Sequence, residues 1–187
     1  ALDNWRGIVS QIRQFATEGK QTAVISTING DANRSFYQEL AKQQINAAEI
    51  PVLAFSVSEQ ELSTLDTQPL VGHLASWNYF MSLDNEENHQ FIKSWHRYIK
   101  DDTRVVNDPM EAHYIGFQMW KHAVLQAGTT QVDAVRQAMY GQKLKSLSGV
   151  EVVMNTNHHL SKPVLVGSIQ ADGQFKVIWQ LDQPKAI

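Results

Sequence analysis

The order of hydrophobic periods along the chain constrains its fold more than any single motif. TAVIST, residues 22–27, and IPVLAFS, residues 50–56, are short continuous apolar runs. The first leads into a helical pattern over residues 31–44, with Phe36, Leu40 and Ala41 inward. The second leads into a short helix, opened by Ser58 and Glu61 in capping-box spacing. A further helix precedes both: Trp5, Ile8, Val9, Ile12 and Phe15 fall at helical spacing, with Asp3 or Asn4 as cap and Gly19 as stop. Continuous apolar strands alternating with helices predict an α/β fold whose parallel sheet is covered on both faces.

The period then changes. LVGHLASWNYF, residues 70–80, reads as a longer strand with polar breaks. Three helices follow without a strand between them. The first spans about 85–100, with Phe91, Ile92, Trp95 and Ile99 on one face. The second starts at NDPMEA, with Asp108 as N-cap, Pro109 at the first helical position and Gly128 as its stop. The third spans 131–140 and is capped by Thr130. GVEVVMN, KPVLVGSIQ and QFKVIWQ then read as strands, the last two joined by Asp172-Gly173, a hairpin signal. One sheet does not absorb three consecutive helices easily. They are assigned to a second lobe, which the chain enters and leaves once.

Composition narrows the function classes. Hydrophobic residues make up 43% and charged residues 19%, which fits a globular protein. The formal net charge is -3 and no Lys/Arg cluster occurs, which argues against nucleic acid as a partner. No apolar run approaches the roughly 18 residues needed to span a bilayer. The absence of cysteine excludes disulfides, Cys-ligated zinc and thiol catalysis. The chain opens directly on a helical pattern, as a fragment of something longer would.

Catalytic chemistry finds little footing. Zinc sites on helices want histidines at i and i+4. His89 and His96 are seven apart, His113 and His122 nine apart, and His73 stands alone. His158 and His159 are adjacent, so in a strand they point to opposite faces; they read as turn and packing residues. There is no Gly-x-Ser-x-Gly elbow and no phosphate loop. Glu59, Glu61, Asp108 and Glu111 sit at helix starts, where capping explains them. No catalytic residue, metal or cofactor is assigned.

What remains is the carboxyl rim of the strands, where open α/β sheets bind ligands. Ser26-Thr27-Ile28-Asn29-Gly30-Asp31 and Ser56-Val57-Ser58-Glu59 are polar loops that each open a helix. Hydroxyls, an amide and helix-start N–H groups there suit a small polar solute. Trp77, Asn78 and Tyr79 end the next strand and fall on the same opening.

Together, AVISTINGDANRSFYQEL, IPVLAFSVSEQEL, LVGHLASWNYF, NDPMEAHYIGF, DAVRQAMYGQ and NHHLSKPVLVGSIQADGQFKVIWQ, in this order, resemble the periplasmic substrate-binding proteins of urea and short-chain amide ABC transporters. These are relatives of the branched-chain amino-acid binding proteins. The resemblance implies the type I periplasmic binding fold: two Rossmann-like lobes with parallel sheets, here lacking much of the N-terminal lobe. It implies that residues 1–75 belong to the second lobe, 78–143 are helices of the first lobe, and 144–187 return to the second. It implies ligand contacts at Thr27, Asn29, Gly30, Ser58 and Glu59, with Glu59 accepting urea N–H bonds; Trp77 joins this set from its place at the strand end. A non-enzymatic, periplasmic protein is expected, neither embedded in the membrane nor dependent on a cofactor. It would close on urea, an amide or an amino acid and present it to an ABC permease. A ligand-sensing module of a regulatory protein, and a branched-chain amino-acid binder, are the alternatives.

Overall fold

A computed structural model describes residues 4–17, 19 and 21–182. In chain order the elements are α1 (Trp5–Ala16), β1 (Val24–Ser26), α2 (Ala32–Lys42), β2 (Val52–Ala54), α3 (Glu59–Leu62), β3 (Leu74–Trp77), α4 (Glu86–Ile99), α5 (Asp108–Ala127), α6 (Val132–Met139), β4 (Lys143–Lys145), β5 (Glu151–Met154), β6 (Leu160–Ser161), β7 (Val164–Ile169) and β8 (Phe175–Leu181). The βαβα start is present. Asn4 caps α1 by accepting from the Gly7 amide, while Asp3 lies outside the described residues. The helix ends at Ala16 with Thr17 as its C-cap, ahead of Gly19. The Ser58–Glu61 capping box forms in full.

Five strands make one mixed sheet in the order β1-β2-β3-β7-β8. β1, β2 and β3 are parallel; β7 and β8 are an antiparallel hairpin laid against β3. One face carries the core. Val52, Ala54, Ala75, Leu165, Ile169 and Phe175 pack with Val9, Phe36, Tyr37, Leu40 and Leu62 from the helices. Phe80, just past β3, lies 4.6 Å from Phe175, ring centroid to centroid.

The other face differs from expectation. Ile25 is 63% and Trp179 51% exposed, while Leu53, Leu74 and Val166 in register with them are half-buried, so this face is covered less fully than the core face. The alternation of a strand explains the error. Ile25 points away from its neighbours Val24 and Ser26, and an apolar run signals two apolar faces without saying what covers each.

The remaining elements form a second unit. β4, β5 and β6 pair antiparallel in a sheet of their own. Val152, Leu144 and Leu160 of that sheet pack on Ile115 and Met119 of α5. The chain rejoins the five-stranded sheet at Val164. Lys143-Leu144-Lys145 and Leu160-Ser161 are too short and polar to signal strands, which is why the sequence shows neither.

Several boundaries move. β3 covers only Leu74–Trp77 and follows a 3-10 turn at Gln68–Leu70. The N-cap of α5 is Asn107, which accepts from the Met110 amide; Asp108 is the first helical residue and Pro109 the second. Gly128 ends α5 in the left-handed conformation, as expected. Gln131, without a side-chain bond, stands where Thr130 was expected to cap α6. His158 and His159 sit in the turn between β5 and β6. His158 has φ +66°, and its Nε2 lies 3.2 Å from the Tyr140 hydroxyl.

Candidate functional site

The carboxyl ends of β1, β2 and β3 lie side by side, as their parallel register demands. Thr27, Asn29 and Gly30 are exposed in the loop after β1. Gly30 has φ +62°, a left-handed turn into α2 that favours glycine. Behind this loop stands Asn33, which sequence reasoning missed. It is fully buried in the first turn of α2, and its Nδ2 donates to the Ile28 carbonyl at 2.8 Å and the Ser56 carbonyl at 2.9 Å. One side chain therefore spaces the loop after β1 against the loop after β2. A polar residue in the first turn of a helix, directly behind a strand-end loop, is the local signal that was available.

The second loop is held from its other side. Trp77, at the end of β3, donates its indole N–H to the Val57 carbonyl at 2.7 Å. Ser58 is buried with its hydroxyl fully engaged: it donates to Glu61 at 2.6 Å and accepts from the Gln60 amide and from Asn107 Nδ2. Glu59 is 1% exposed. Its Oε1 accepts the Met81 amide at 2.7 Å, and its Oε2 has no protein partner. Burial pushes its pKa up to about 7; the Met81 amide opposes this, and the nearby Asp108 and Glu61 charges add to it. Of the six expected contacts, three are thus exposed on the rim and three form its backing.

Next to Glu59 the two units meet in a polar joint. The Asn78 amide donates to Asp108 at 2.9 Å, and the Asn78 side chain donates to the Pro163 carbonyl at 2.6 Å. Ser148 donates to the Asn78 carbonyl. Glu111 is buried and ion-paired with Lys162. Burial raises the pKa of Asp108 and of Glu111, and Lys162 works against it in both. Asp108 and Glu111, read from sequence as helix-start residues, also fasten the segments running between the units. No group of three or more His, Asp or Glu is placed to hold a metal among the described residues. The rim offers hydroxyl, amide and backbone groups for hydrogen bonding to a small solute.

The comparisons agree with this architecture. A family model described as periplasmic binding protein domain matches residues 2–186. A solute-binding protein of an ABC transporter from Rhodopseudomonas palustris HaA2, in complex with p-hydroxybenzoic acid, superposes with TM-score 0.78 at 18% identity, over 95% of this chain and 50% of that one. A periplasmic binding protein from Burkholderia mallei gives 0.79 at 13% identity, over 98% and 48%. A leucine-binding protein from Thermotoga maritima MSB8 gives 0.70 at 13%, over 92% and 48%. Limonene hydroxylase of Geobacillus stearothermophilus is 34% identical over 113 residues, 60% of this chain and 20% of that protein. The chain spans about half the length of these solved structures and a fifth of that curated relative. With a sheet rim of the expected topology and a family match over nearly its whole length, the chain belongs to the periplasmic binding protein domain family and has its type I fold.

Proposed function

We propose that this chain forms the second-lobe wall of an inter-lobe cleft that captures urea or a short-chain amide in the periplasm and presents it to an ABC permease. The observation that carries the reading is Asn33. It fixes the spacing of the two loops to which the family resemblance assigns solute contacts. Thr27, Asn29 and the Gly30 backbone reach the solute from the exposed rim. Ser58, Glu59 and Trp77 shape and stiffen the second loop. Burial raises the Glu59 pKa to about 7, which reduces the negative charge of this one carboxyl near neutral pH and fits a neutral amide as the solute. Residues 1–75 and 144–187 belong to this lobe on this reading, and 78–143 to the other.

Closure follows from differential affinity: the solute stabilises the closed form only because it binds that form more tightly. Calorimetry on the protein with urea, formamide, acetamide, leucine and benzoate tests the assignment. Binding of urea or an amide supports it. Binding of leucine or benzoate without any amide overturns the ligand class, and binding of none overturns the solute-binding role.

A further inference from the structure

We propose that Asn107 is a positioning residue for the second rim loop: its side chain couples the start of α5 to the loop Ser56–Glu59, so that a solute held by that loop is felt at α5. This coupling rests on the proposed function, because it needs a solute at the rim.

The geometry is that of two helix caps joined by one side chain. Asn107 caps α5, its Oδ1 accepting the Met110 amide at 3.2 Å. The same side chain donates from Nδ2 to the Ser58 hydroxyl at 3.2 Å, and Ser58 caps α3. Both caps are buried. The Ser58 hydroxyl has no capacity to spare. It gives its one proton to Glu61 and accepts from Gln60 and Asn107, which uses both lone pairs. The Ser58 amide is fixed in turn by the Glu61 carboxylate at 2.8 Å. A shift of this loop therefore cannot be absorbed by turning the hydroxyl. It either breaks the bond to Asn107 or carries Asn107 with it, and a buried donor left unpaired is costly.

The tie also completes a line across the rim. Asn33 joins the loop after β1 to Ser56. Ser58, two residues on, meets Asn107. Asp108, the next residue of α5, holds the Asn78 amide after β3. The start of α5 thus touches the segments that follow β2 and β3 and, through Asn33, is linked to the loop after β1. On the proposed reading α5 lies in the other lobe, so Asn107 is where an occupied rim reaches that lobe through a hydrogen-bonded contact.

The test is amide exchange at Met110 and Glu111, whose N–H groups bond Asn107, with and without saturating urea or acetamide. Titration heat shows whether the solute is bound, and the Val135 amide in α6 reports any stabilisation of the whole fold. In the wild type, solute should raise protection at Met110 and Glu111 about fivefold beyond the change at Val135, and this excess should vanish in Asn107→Ser. Serine keeps the cap but is too short to reach Ser58. A cap that served α5 alone would give no solute-dependent excess. An excess that survives in Asn107→Ser overturns the coupling, as does a wild type that binds solute without any excess. No heat with either solute overturns the solute-binding reading and the coupling with it. If Asn107→Ser fails to fold or to bind, a wild-type titration decides. The Asn107 side-chain N–H signals and the Gln60 amide must shift with one midpoint as solute is added, and an unmoved Asn107 overturns the coupling.

Discussion

Trp77 donates its indole N–H to the carbonyl of Val57, a residue with no solvent exposure, and so ties the end of β3 to the loop after β2. Replacing Trp77 by Phe keeps an aromatic ring but removes the donor. A buried carbonyl left without a partner costs about 1–3 kcal/mol. Trp77→Phe is expected to lower stability by about that amount, read from the midpoint of urea or guanidinium unfolding. An unchanged midpoint would mean that water replaces the indole at Val57.

Asn33 gives a sharper chemical test. Both its bonds are donated, to Ile28 and Ser56 carbonyls. Asn33→Asp keeps the size but replaces a two-hydrogen donor with an acceptor facing two acceptors, in a site with no exposure. Asn33→Ala only deletes the bonds. The aspartate variant should therefore be the less stable of the two at neutral pH, and the gap should narrow as pH falls and the carboxyl protonates. Thermal melts of both variants at pH 5 and 8 check the order.

These two residues mark what a sequence can and cannot reveal here. The alternation of strands and helices, the Ser58–Glu61 box and the Asp172-Gly173 hairpin are local patterns, and each appears where it was expected. The position of Asn33 in the first turn of α2 is a local signal for a polar role, but its partner Ser56 is 23 positions away, so the sequence does not show which loop it holds. Asn107 and Asp108 are both good N-caps, so sequence alone could not choose. Asn107 takes the cap while the Asp108 carboxylate is engaged by the amide of the distant Asn78. The Lys162–Glu111 pair closes over 51 positions and has no local signature either.

Gly167 lies where β7 passes beneath two aromatic rings. A Cβ there would come within 2.8 Å of Phe80 Cζ and 2.9 Å of Phe175 Cβ. Gly167→Ala must push the Phe80–Phe175 pair apart, and overpacking of this kind costs about 1–3 kcal/mol. Differential scanning calorimetry should show a lowered Tm. Gly116, with open space where its Cβ would be, serves as the control and should tolerate alanine without a loss.

Lys162 is the cation of the joint, and its removal should show in the pH profile. Lys162→Met leaves Glu111 buried and unpaired, which costs about 3–5 kcal/mol when the carboxylate is charged. Burial already raises the Glu111 pKa against the pull of Lys162, so loss of the lysine raises it further. The native state then holds a proton that the unfolded chain, with a glutamate pKa of about 4.3, has given up. Stability consequently falls as pH rises from the unfolded value through the folded one. The variant should differ little from wild type in this term at pH 4 and be much less stable at pH 8. A gap that stays constant with pH would mean that the lysine acts by packing alone.

The exposed rim and its buried backing should separate cleanly in binding experiments. Thr27 and Asn29 are exposed, and neither takes part in the bonds that space the loops. Thr27→Val and Asn29→Ala each remove one hydrogen-bonding group from the rim, worth about 0.5–1.5 kcal/mol if it meets the solute. On the proposed function, affinity for urea or an amide should fall by about threefold to tenfold in each, with Tm unchanged. Glu59→Ala should weaken affinity as well, and its buried position makes a drop in Tm accompany that loss. Calorimetric titration paired with thermal melts distinguishes the two patterns. Full affinity in both Thr27→Val and Asn29→Ala would remove the β1 loop from the proposed site and leave the second loop, from Ser56 to Glu59, as its proposed contact.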